Sequence, residues 1–490
     1  MVTDGGGERF DAIVIGGGPG GATASTLVAM QGHRVLLLEA ERFPRYQIGE
    51  SLLPATIHGI CPMLGVSEDL KEAGFTYKRG GTLRWGREQD LWSFFFSDSF
   101  LIENSVGYAY QVRRATFDEI LLKNARRKGV DVRQQHRVQG VIKEEGRSVG
   151  VTYTDAAGHP GVARARYVVD ASGNRSRLYR EVGDRIYSKF FENVALFGYY
   201  TGGKRLPPPA EGNILTAAFD GGWFWYIPLS PTLTSVGVVR ARDRATQLQD
   251  GLEETMQACI DACPVIKEYL ASAERVTEGM YGQLRVRQDY SYCNTRFSNS
   301  GLVLVGDAAC FIDPLFSTGV HLATYSALLA ARSINTSLRR TADEARCFAE
   351  YEARYRNEYA KFYQFLIAFY DANRDKDSYF WAARNVLHTE ERENEAFVRL
   401  LAGVGDGALR AEATTFFDAR HQLGARAQAL IDNHHGEDAP PIGRTDDIDR
   451  YSDCFCYLPG VAYTPLEGTG LVASPDGFHW SEAAAGMATR

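Results

Sequence analysis

The chain has 490 residues and a formal net charge of −7 at pH 7, from 54 basic and 61 acidic residues. With 44% hydrophobic residues it can bury a large core, which excludes an intrinsically disordered, collagen-like or coiled-coil chain. The acidic balance argues against binding to nucleic acid or to an anionic membrane. No apolar stretch reaches the roughly 20 residues that span a bilayer, and the acidic, Gly-rich N-terminus does not resemble a signal peptide. We therefore expect a cytoplasmic, enzyme-sized protein of two or three structural units.

The first strong pattern is a β-α-β unit close to the N-terminus. An apolar strand over 11–15 runs into the sequence G-x-G-x-x-G at 16–21, and a helical stretch follows over 22–31. A second apolar strand, 34–39, ends in an acidic residue. Strand, glycine turn, helix, second strand and terminal acid together are typical of a dinucleotide-binding unit.

The three glycines of this unit and its terminal acid each have a physical role that follows from the residue type. Gly16 makes the tight turn, Gly18 lets a pyrophosphate approach the backbone, and Gly21 lets the helix pack closely on the strand. Unpaired N–H groups at the start of the helix face the phosphate. Glu39 can accept a hydrogen bond from a ribose hydroxyl. FAD and NAD share this pattern, so the choice between them depends on other segments.

Three further segments resemble the glutathione-reductase-like flavoproteins. They are Val-Arg-Arg followed by Phe-Asp at 112–118, the strand and turn at 167–173, and the strand that runs into Gly-Asp-Ala-Ala over 301–309. The resemblance implies that FAD is the cofactor, that Asp307 holds its ribityl or pyrophosphate part, and that Arg114 contacts the flavin side of the site.

The predicted fold is an α/β, glutathione-reductase-like FAD-binding domain of Rossmann type with an inserted antiparallel sheet layer. We expect the FAD-binding core over 1–340, with 80–110 and 185–290 supplying the substrate-side sheet, because these stretches are rich in aromatic and β-branched residues between turns. A C-terminal region, 341–490, is predicted to be mostly helical to about 430. A stripe of large apolar residues at helical spacing there is expected to be core rather than substrate contact: Tyr355, Tyr359, Phe362, Leu366 and Phe369.

The eight cysteines give no metal-binding pattern. None forms a C-x-x-C pair, and the close pairs Cys259/Cys263 and Cys454/Cys456 lack the second ligand pair of a zinc site. We expect reduced structural thiols and no metal ion.

A tryptophan pair lies in the stretch Gly222–Pro228, whose sequence is GWFWYIP. On a strand Trp223 and Trp225 point to the same face, so two indoles can wall one side of a compartment. The alternative is a pair of ordinary core tryptophans. The stretch matches the W-x-W-x-I-P signature of FADH2-dependent halogenases.

A second motif, FIDPLFSTGV over 311–320, precedes a predicted helix. The N–H groups of Ser317, Thr318 and Gly319 should then lie at a helix N-terminus, which favours an anion. The motif resembles F-x-x-P-x-x-S-x-G of the same halogenases. Related hydroxylases also place Asp-Pro and Gly here to cradle the flavin, so this motif alone is less specific.

The third candidate is Lys78, in the stretch GFTYKRG over 74–80. A single lysine is usually a solvated surface charge. Apolar surroundings would instead lower its pKa and give a nucleophilic amine. Its position matches the catalytic lysine of these halogenases, and the preceding IGESLLP over 48–54 is close to their phenol and carrier-protein-linked branch.

Together these features resemble the flavin-dependent halogenases of natural-product and antibiotic biosynthesis, and are similar to the chloramphenicol and chondrochloren halogenases. The resemblance implies that Lys78 is catalytic, that chloride binds at Ser317, Thr318 and Gly319, and that Trp223 and Trp225 separate the flavin from the organic substrate. It also implies FAD contacts from Arg42, Glu50, Ser51, Arg114, Pro314, Gly319 and Val320.

One departure from the family pattern concerns the substrate. Tryptophan halogenases carry Glu in P-L-E-S-T-G, whereas Phe316 stands at that position here. We therefore expect an electron-rich phenolic ring, either free or bound to a carrier protein, rather than free tryptophan. Chloride is expected as co-substrate.

The source of electrons is expected to be another protein. The chain has no second dinucleotide pattern, so we expect a separate flavin reductase to supply FADH2. Two alternatives remain open at this stage: a flavin monooxygenase that hydroxylates an aromatic ring, and a flavin-binding protein without turnover.

Overall fold

A computed structural model of the chain describes residues 8–85, 90–99, 102–220, 222–242, 251–288, 290–371, 393–404 and 468–482. In chain order its strands are β1 (Glu8–Ile15), β2 (Val35–Glu39), β3 (Thr76–Lys78), β4 (Gly80–Arg84), β5 (Trp92–Phe95), β6 (Ala109–Gln111), β7 (Asp131–Gln134), β8 (Arg137–Glu144), β9 (Arg147–Thr154), β10 (Pro160–Asp170), β11 (Arg185–Tyr187), β12 (Asn193–Thr201), β13 (Ile214–Phe219), β14 (Gly222–Pro228), β15 (Leu233–Ala241), β16 (Glu274–Arg275), β17 (Arg285–Gln288), β18 (Tyr292–Asn294), β19 (Ser298–Asn299), β20 (Leu302–Leu304), β21 (Cys310–Phe311), β22 (Leu471–Ala473) and β23 (Trp480–Glu482). The α-helices are α1 (Pro19–Ala29), α2 (Cys61–Leu64), α3 (Ser67–Glu72), α4 (Arg114–Arg127), α5 (Leu252–Ala262), α6 (Pro264–Tyr269), α7 (Thr318–Arg339), α8 (Glu344–Asp371) and α9 (Glu393–Leu401).

The first sheet has the order β19-β20-β10-β1-β2-β7, with β8 and β9 attached through β10. The pairs from β20 to β7 are parallel. Its central strands are nearly continuous apolar runs, as expected of strands that are covered on both faces. This is the predicted Rossmann-type layer.

The carboxyl ends of three of its strands lie side by side. Ile15 pairs with Asp170, and Asp170 pairs with Leu304. The glycine turn after β1 and the Gly-Asp segment after β20 are thereby brought to one edge of the sheet. This edge is where open α/β sheets bind their ligands.

A second sheet has the order β16-β12-β15-β14-β13-β4-β5, with β17 paired to β12. It is antiparallel, as predicted, except that β4 runs parallel to β13. One of its faces packs on the main core of the protein, and the other packs on a smaller cluster that includes residues of α5 and α6. The sheet therefore forms a layer whose inner face looks towards the Rossmann-type domain.

The helices complete the core. α1 and α7 pack against each other, and α8 packs along α7. Residues Tyr355, Tyr359, Phe362, Leu366 and Phe369 of α8 are buried, in agreement with the prediction that they are core. No helix within the described ranges is both long and apolar enough to cross a bilayer.

The C-terminal region is helical where the structure describes its first part, in α8 and α9. The predicted continuation of helix to about 430 falls on 405–467, which lies outside the described residues. A short hairpin of β22 and β23 packs beside α7.

Candidate active site

The glycine turn after β1 has the geometry that a dinucleotide needs. Gly16 adopts a φ of 99°, and a Cβ at Gly21 would lie 1.9 Å from the Gly16 carbonyl oxygen. Both positions therefore require glycine. A Cβ at Gly18 would meet no atom closer than Nη2 of Arg45, at 3.4 Å. The protein itself leaves the space at Gly18 open, and a bound pyrophosphate would fill it.

The acid at the end of β2 closes this turn. Glu39 is buried, and its Oε2 accepts a hydrogen bond from the Gly17 N–H at 2.6 Å while Oε1 accepts one from the Glu41 N–H at 2.7 Å. A carboxylate offers about four acceptor positions, so a ribose hydroxyl could still bind. Arg42 lies exposed just beyond this strand.

Two arginines meet the same buried carboxylate. Arg114 donates from Nε and Nη2 to Asp118 at 2.7 and 2.9 Å, and from Nη1 to the Ile48 carbonyl at 2.5 Å. Arg45 donates to Asp118 at 3.0 Å. Arg114 therefore fixes the segment before Glu50, while Arg45 places a positive charge beside the Gly18 turn. The sequence analysis missed Arg45, although its Phe-Pro-Arg context was visible.

The segment that Arg114 holds also carries buried polar atoms without a hydrogen-bond partner. Among the described residues, Oε2 of Glu50 and Oγ of Ser51 are buried and accept or donate no hydrogen bond. The other oxygen of Glu50 accepts from the Tyr199 hydroxyl at 2.8 Å, and that hydroxyl contacts the Tyr46 hydroxyl at 2.9 Å. Burial raises the pKa of Glu50 to about 7, against the effect of its hydrogen bonds. Buried polar atoms of this kind are commonly satisfied by a ligand or by ordered water.

Asp307 lies at the convergent edge, in a single helical turn over Gly306–Ala308. Desolvation raises its pKa to about 6, against the opposing charges of Arg114 and Arg185. The Tyr292 hydroxyl donates to the Asp307 carbonyl oxygen at 2.5 Å and holds the turn in place.

These residues fit FAD. The open space at Gly18, the arginine charge beside it and the orphaned atoms of Glu50 and Ser51 provide room, charge and hydrogen-bonding groups for a dinucleotide. The assignment of individual contacts to Gly16, Gly18, Gly21, Glu39, Arg42, Glu50, Ser51, Arg114, Asp307, Pro314, Gly319 and Val320 stays a prediction.

Two glycine substitutions should separate cofactor binding from folding. We expect Gly18→Ala to fold normally, because its new Cβ meets no backbone atom, and to weaken FAD binding tenfold or more, about 1.4 kcal/mol. Gly21→Ala should fail to fold, because its Cβ would overlap the Gly16 carbonyl. Circular dichroism together with FAD titration checks both. A Gly18→Ala protein that binds FAD as tightly as the wild type would contradict the placement of the pyrophosphate.

The 311–320 segment ends in the first turn of α7. α7 begins at Thr318, and Ser317 precedes it with a φ of 60°. The Ser317 N–H, expected from the sequence to be free, donates to the Pro314 carbonyl at 3.1 Å, because the chain turns tightly before the helix. The first-turn amides of Thr318 and Gly319 have no intrahelical partner. The Thr318 hydroxyl is buried and, among the described residues, has no hydrogen-bond partner.

Lys78 is not a surface lysine. It is only 3% exposed, at the end of β3. Its Nζ donates to the Leu52 carbonyl oxygen at 3.0 Å and lies 5.6 Å from the centre of the Phe96 ring. Desolvation lowers its pKa from 10.5 to about 7. The amine is thus tied to the same segment that carries Glu50 and Ser51.

One cavity brings Lys78 together with the 311–320 segment. Its described lining is mostly apolar and consists of Lys78, Gly81, Thr82, Leu83, Phe94, Phe96, Ile214, Thr216, Leu315, Phe316, Ser317 and Leu401. Two motifs that lie far apart in the chain therefore share one compartment. Phe316 of this lining packs on α8, where it stacks on Phe365 and contacts Phe369, with ring centroids 5.1 and 4.9 Å apart.

The tryptophans stand beside this cavity on the inner face of the second sheet. Residues that pair across strands point to the same face, and Trp225 pairs with Thr216 of the cavity on one side and with Gly237 on the other. A Cβ at Gly237 would lie 2.1 Å from the Trp225 ring, so the indole lies flat across this position. Trp223 lies next to it, with ring centroids 6.2 Å apart. The described cavity lining includes neither tryptophan, so their role in separating the flavin from the substrate stays a prediction.

A hydrogen-bonded chain connects this wall to the 311–320 segment. Trp223 Nε1 donates to the Tyr370 hydroxyl at 2.6 Å, and that hydroxyl donates to the buried Asp313 carboxylate at 3.2 Å. Oδ1 of Asp313 in turn accepts the Leu315 N–H at 3.0 Å. Tyr370 lies at the end of α8, outside every recognised motif, and no sequence signal pointed to it.

Within the described ranges no three His, Cys, Asp or Glu side chains are grouped so that they could hold a metal ion.

The fold and the site together define a flavin-dependent enzyme, and comparison with known proteins places it. The tryptophan halogenase family matches residues 11–104 and 98–423, so the chain belongs to this family of flavin-dependent halogenases. A tryptophan 2-halogenase of Chondromyces crocatus is 34% identical over 385 residues, which are 77% of this chain and 71% of that protein.

Two solved structures are similar over most of the chain. The myxobacterial chondrochloren halogenase CndH, described as a variant of FAD-dependent halogenases, has 55% sequence identity and a TM-score of 0.76, and the match covers 97% of this chain and 100% of that one. The flavin-dependent halogenase CmlS has 30% identity and a TM-score of 0.70, with 86% and 78% covered. Enzymes of this family use reduced FAD and chloride and generally need a separate flavin reductase.

Proposed function

We propose that this halogenase chlorinates an electron-rich phenolic ring in the cavity that Lys78 shares with Phe316 and Ser317. The observation that carries the proposal is this shared lining, because it puts a desolvated amine and the start of α7 on one compartment. When bound, the reduced flavin supplies the oxygen chemistry that converts chloride into hypochlorous acid.

Chloride binding is assigned to the start of α7. The amides of Thr318 and Gly319 and the Thr318 hydroxyl can all donate to one anion, and the helix dipole favours negative charge there. The orphaned Thr318 hydroxyl supports this assignment, because a buried donor without a partner is unfavourable unless a ligand accepts from it.

Lys78 is assigned to the transfer of chlorine. With a pKa of about 7, a substantial fraction of the amine is uncharged at neutral pH, and its lone pair can attack the chlorine of hypochlorous acid. The Cl–O bond breaks, and the hydroxide that leaves takes a proton from the amine, so that a chloramine and water form. The hydrogen bond to the Leu52 carbonyl orients the amine. The apolar lining around it excludes water that would otherwise hydrolyse the electrophile.

The same lining supports a phenolic substrate. None of its described residues is Asp or Glu, so the cavity offers no carboxylate to the ammonium group of a free amino acid. Phe316 and Phe96 offer aromatic surface to a ring. A phenolic oxygen stabilises the positive charge that develops on the ring during electrophilic chlorination. The substrate enters either free or as a thioester on a carrier protein.

The proposed function is tested with the whole protein, FAD, a flavin reductase, NADH, oxygen and chloride. A generic hypohalite trap reports halogenation without any knowledge of the substrate, and a second panel contains free phenols, tyrosine-like acids on a carrier protein, and free tryptophan. Omission of chloride is the control. We expect chlorination that depends on chloride and occurs on a phenolic member of the panel.

The outcomes separate the alternatives. Chlorinated tryptophan with unmodified phenols would contradict the phenolic assignment. A hydroxylated ring without any chlorinated product would overturn the proposed reaction. The free and carrier-bound phenols distinguish the two modes of delivery.

A further inference from the structure

Two buried cysteines face each other at the start of the 311–320 segment. β18 and β21 pair in antiparallel register, and Cys293 lies opposite Cys310. Both are free thiols, and they are 0% and 1% exposed. Within the described residues, the other cysteines have no such partner across a strand pair.

The pairing geometry suits a disulfide. The Asn294 N–H donates to the Ala309 carbonyl at 3.0 Å, so the hydrogen-bonded positions of this ladder lie on either side of the cysteine pair. Cys293 and Cys310 therefore occupy a non-hydrogen-bonded position, where the two Cα atoms approach to about 4.5 Å. Disulfides bridge Cα atoms about 4.4–6.8 Å apart.

One thiol of the pair is activated by a cation. Nη1 of Arg356 lies 3.6 Å from the Cys293 sulfur. Burial alone would raise the pKa of Cys293, but the hydrogen bond with Cys310 and the charge of Arg356 outweigh it, and the pKa falls below its ordinary value. Glu352 also pairs with Arg356, at 2.8 Å. The thiolate is the reactive form of cysteine.

The pair lies next to the proposed source of oxidant. Cys310 is followed directly by Phe311, whose ring would lie 2.8 Å from a Cβ at Gly319. Gly319 is in the first turn of α7, where we place chloride. Hypochlorous acid formed there is small and uncharged, so it can enter a packed interior that excludes larger thiol reagents.

We propose that Cys293 and Cys310 are a modification site at which hypochlorous acid that escapes the halogenation reaction is consumed. The Cys293 thiolate attacks the chlorine of hypochlorous acid and releases hydroxide, which gives a sulfenyl chloride. The Cys310 thiol then attacks that sulfur, chloride leaves, and a proton is released. Two thiols are oxidised to one disulfide, while one hypochlorous acid is reduced to chloride and water.

The site is tested on the full chain in two arms. In the first, reagent hypochlorous acid is added in stoichiometric amount, free thiols are then alkylated in denaturant, and peptides are mapped without reduction. In the second, the enzyme turns over with reduced FAD, oxygen and chloride but without organic substrate. We expect a linked peptide between Cys293 and Cys310 in both arms, and reversal by a reductant after unfolding.

Two variants test what the pair does. Cys310→Ser removes the second thiol and should lose activity several-fold faster than the wild type during turnover without substrate, only when chloride is present. Cys347→Ser, a buried cysteine in α8 away from this ladder, is the matched control and should behave as the wild type.

Each remaining outcome overturns a defined part of the proposal. If both cysteines are still alkylated after reagent hypochlorous acid is added, they are not a modification site. The experiment with added reagent does not depend on halogenase activity. The same disulfide without chloride would overturn hypochlorous acid as the oxidant. A disulfide with the reagent but not in turnover, while a hypohalite trap reports chlorination, would overturn the enzyme as its source.

Discussion

Lys78→Met should lose product halogenation by about a hundredfold or more and yet unfold less readily than the wild type. The amine is the only group of the described cavity lining that can take chlorine from hypochlorous acid and pass it on. A methionine thioether would instead be oxidised to the sulfoxide while hypochlorous acid is reduced to chloride, so no chlorine reaches the ring. FAD binding should remain unchanged, because within the described ranges the Lys78 amine hydrogen-bonds to the Leu52 carbonyl alone.

The gain in stability follows from the pKa. The shift from 10.5 to about 7 corresponds to a cost of at most about 5 kcal/mol for keeping the lysine charged inside the fold. The unfolded chain binds more protons than the folded one between these two values, so the stability of the wild type rises with pH across that window. The full cost is present below about pH 7 and disappears above about 10.5.

Denaturant unfolding of both proteins at about pH 6 and about pH 9 measures this difference. The free energy of unfolding of Lys78→Met should exceed that of the wild type most at the lower pH. Lys71→Met is the control, because Lys71 is 67% exposed on α3 and its replacement should alter neither stability nor activity. Equal stability of Lys78→Met and the wild type at the lower pH would show that Lys78 is not desolvated.

The activity of the wild type should also rise with pH through about 7, since the uncharged amine is the form that attacks hypochlorous acid. The rate at which a phenolic substrate is chlorinated at saturating chloride measures this rise, because that step depends on Lys78. A rate that falls over the same range would instead assign Lys78 as an ammonium donor.

Thr318→Val should weaken chloride binding about tenfold to a hundredfold, because a hydrogen bond to a charged group contributes about 1.5–3 kcal/mol. Without chloride the variant should be at least as stable as the wild type. Its methyl group replaces a buried hydroxyl that has no partner among the described residues, so nothing favourable is lost. The concentration of chloride that gives half-maximal trap chlorination is the measurement.

A matched threonine lies six residues further along the same helix. The Thr324 hydroxyl donates to the Val320 carbonyl at 2.9 Å, so Thr324→Val should lose a local hydrogen bond and leave the chloride requirement unchanged. If the two variants respond alike to chloride, the Thr318 hydroxyl does not bind the halide.

Residues close together in the chain determined the cofactor-binding unit and the orientation of the tryptophan pair. The turn from Gly16 to Gly21 and the acid at Glu39 are encoded within one β-α-β unit, because hydrophobic period and glycine spacing are local signals. The same holds for the strand that places Trp223 and Trp225 on one face. Family resemblance then identified Lys78 and the 311–320 segment, and the comparisons confirm the family and its FAD and chloride chemistry.

The tertiary structure decided what those segments form together. No local pattern predicts that Lys78 and Phe316 line one cavity. The two residues lie far apart in the chain, and only strand pairing and helix packing bring them together. Tyr370 connects to Trp223 and Asp313 only because α8 ends beside the second sheet. No local pattern predicts the hydrogen bond from the Ser317 amide to the Pro314 carbonyl either. The position of Arg45 beside the Gly18 turn also depends on tertiary contacts.

The cysteines show the difference most clearly. Their spacing in the sequence indicated only separate, reduced thiols, and the six cysteines that the structure describes are free thiols. Only the register of β18 against β21 brings Cys293 to face Cys310, because strand pairing is a property of two distant segments and leaves no periodic signal in either one. The sequence by itself therefore determined the cofactor-binding unit and the family, whereas the contacts between distant segments determined the shape of the active site.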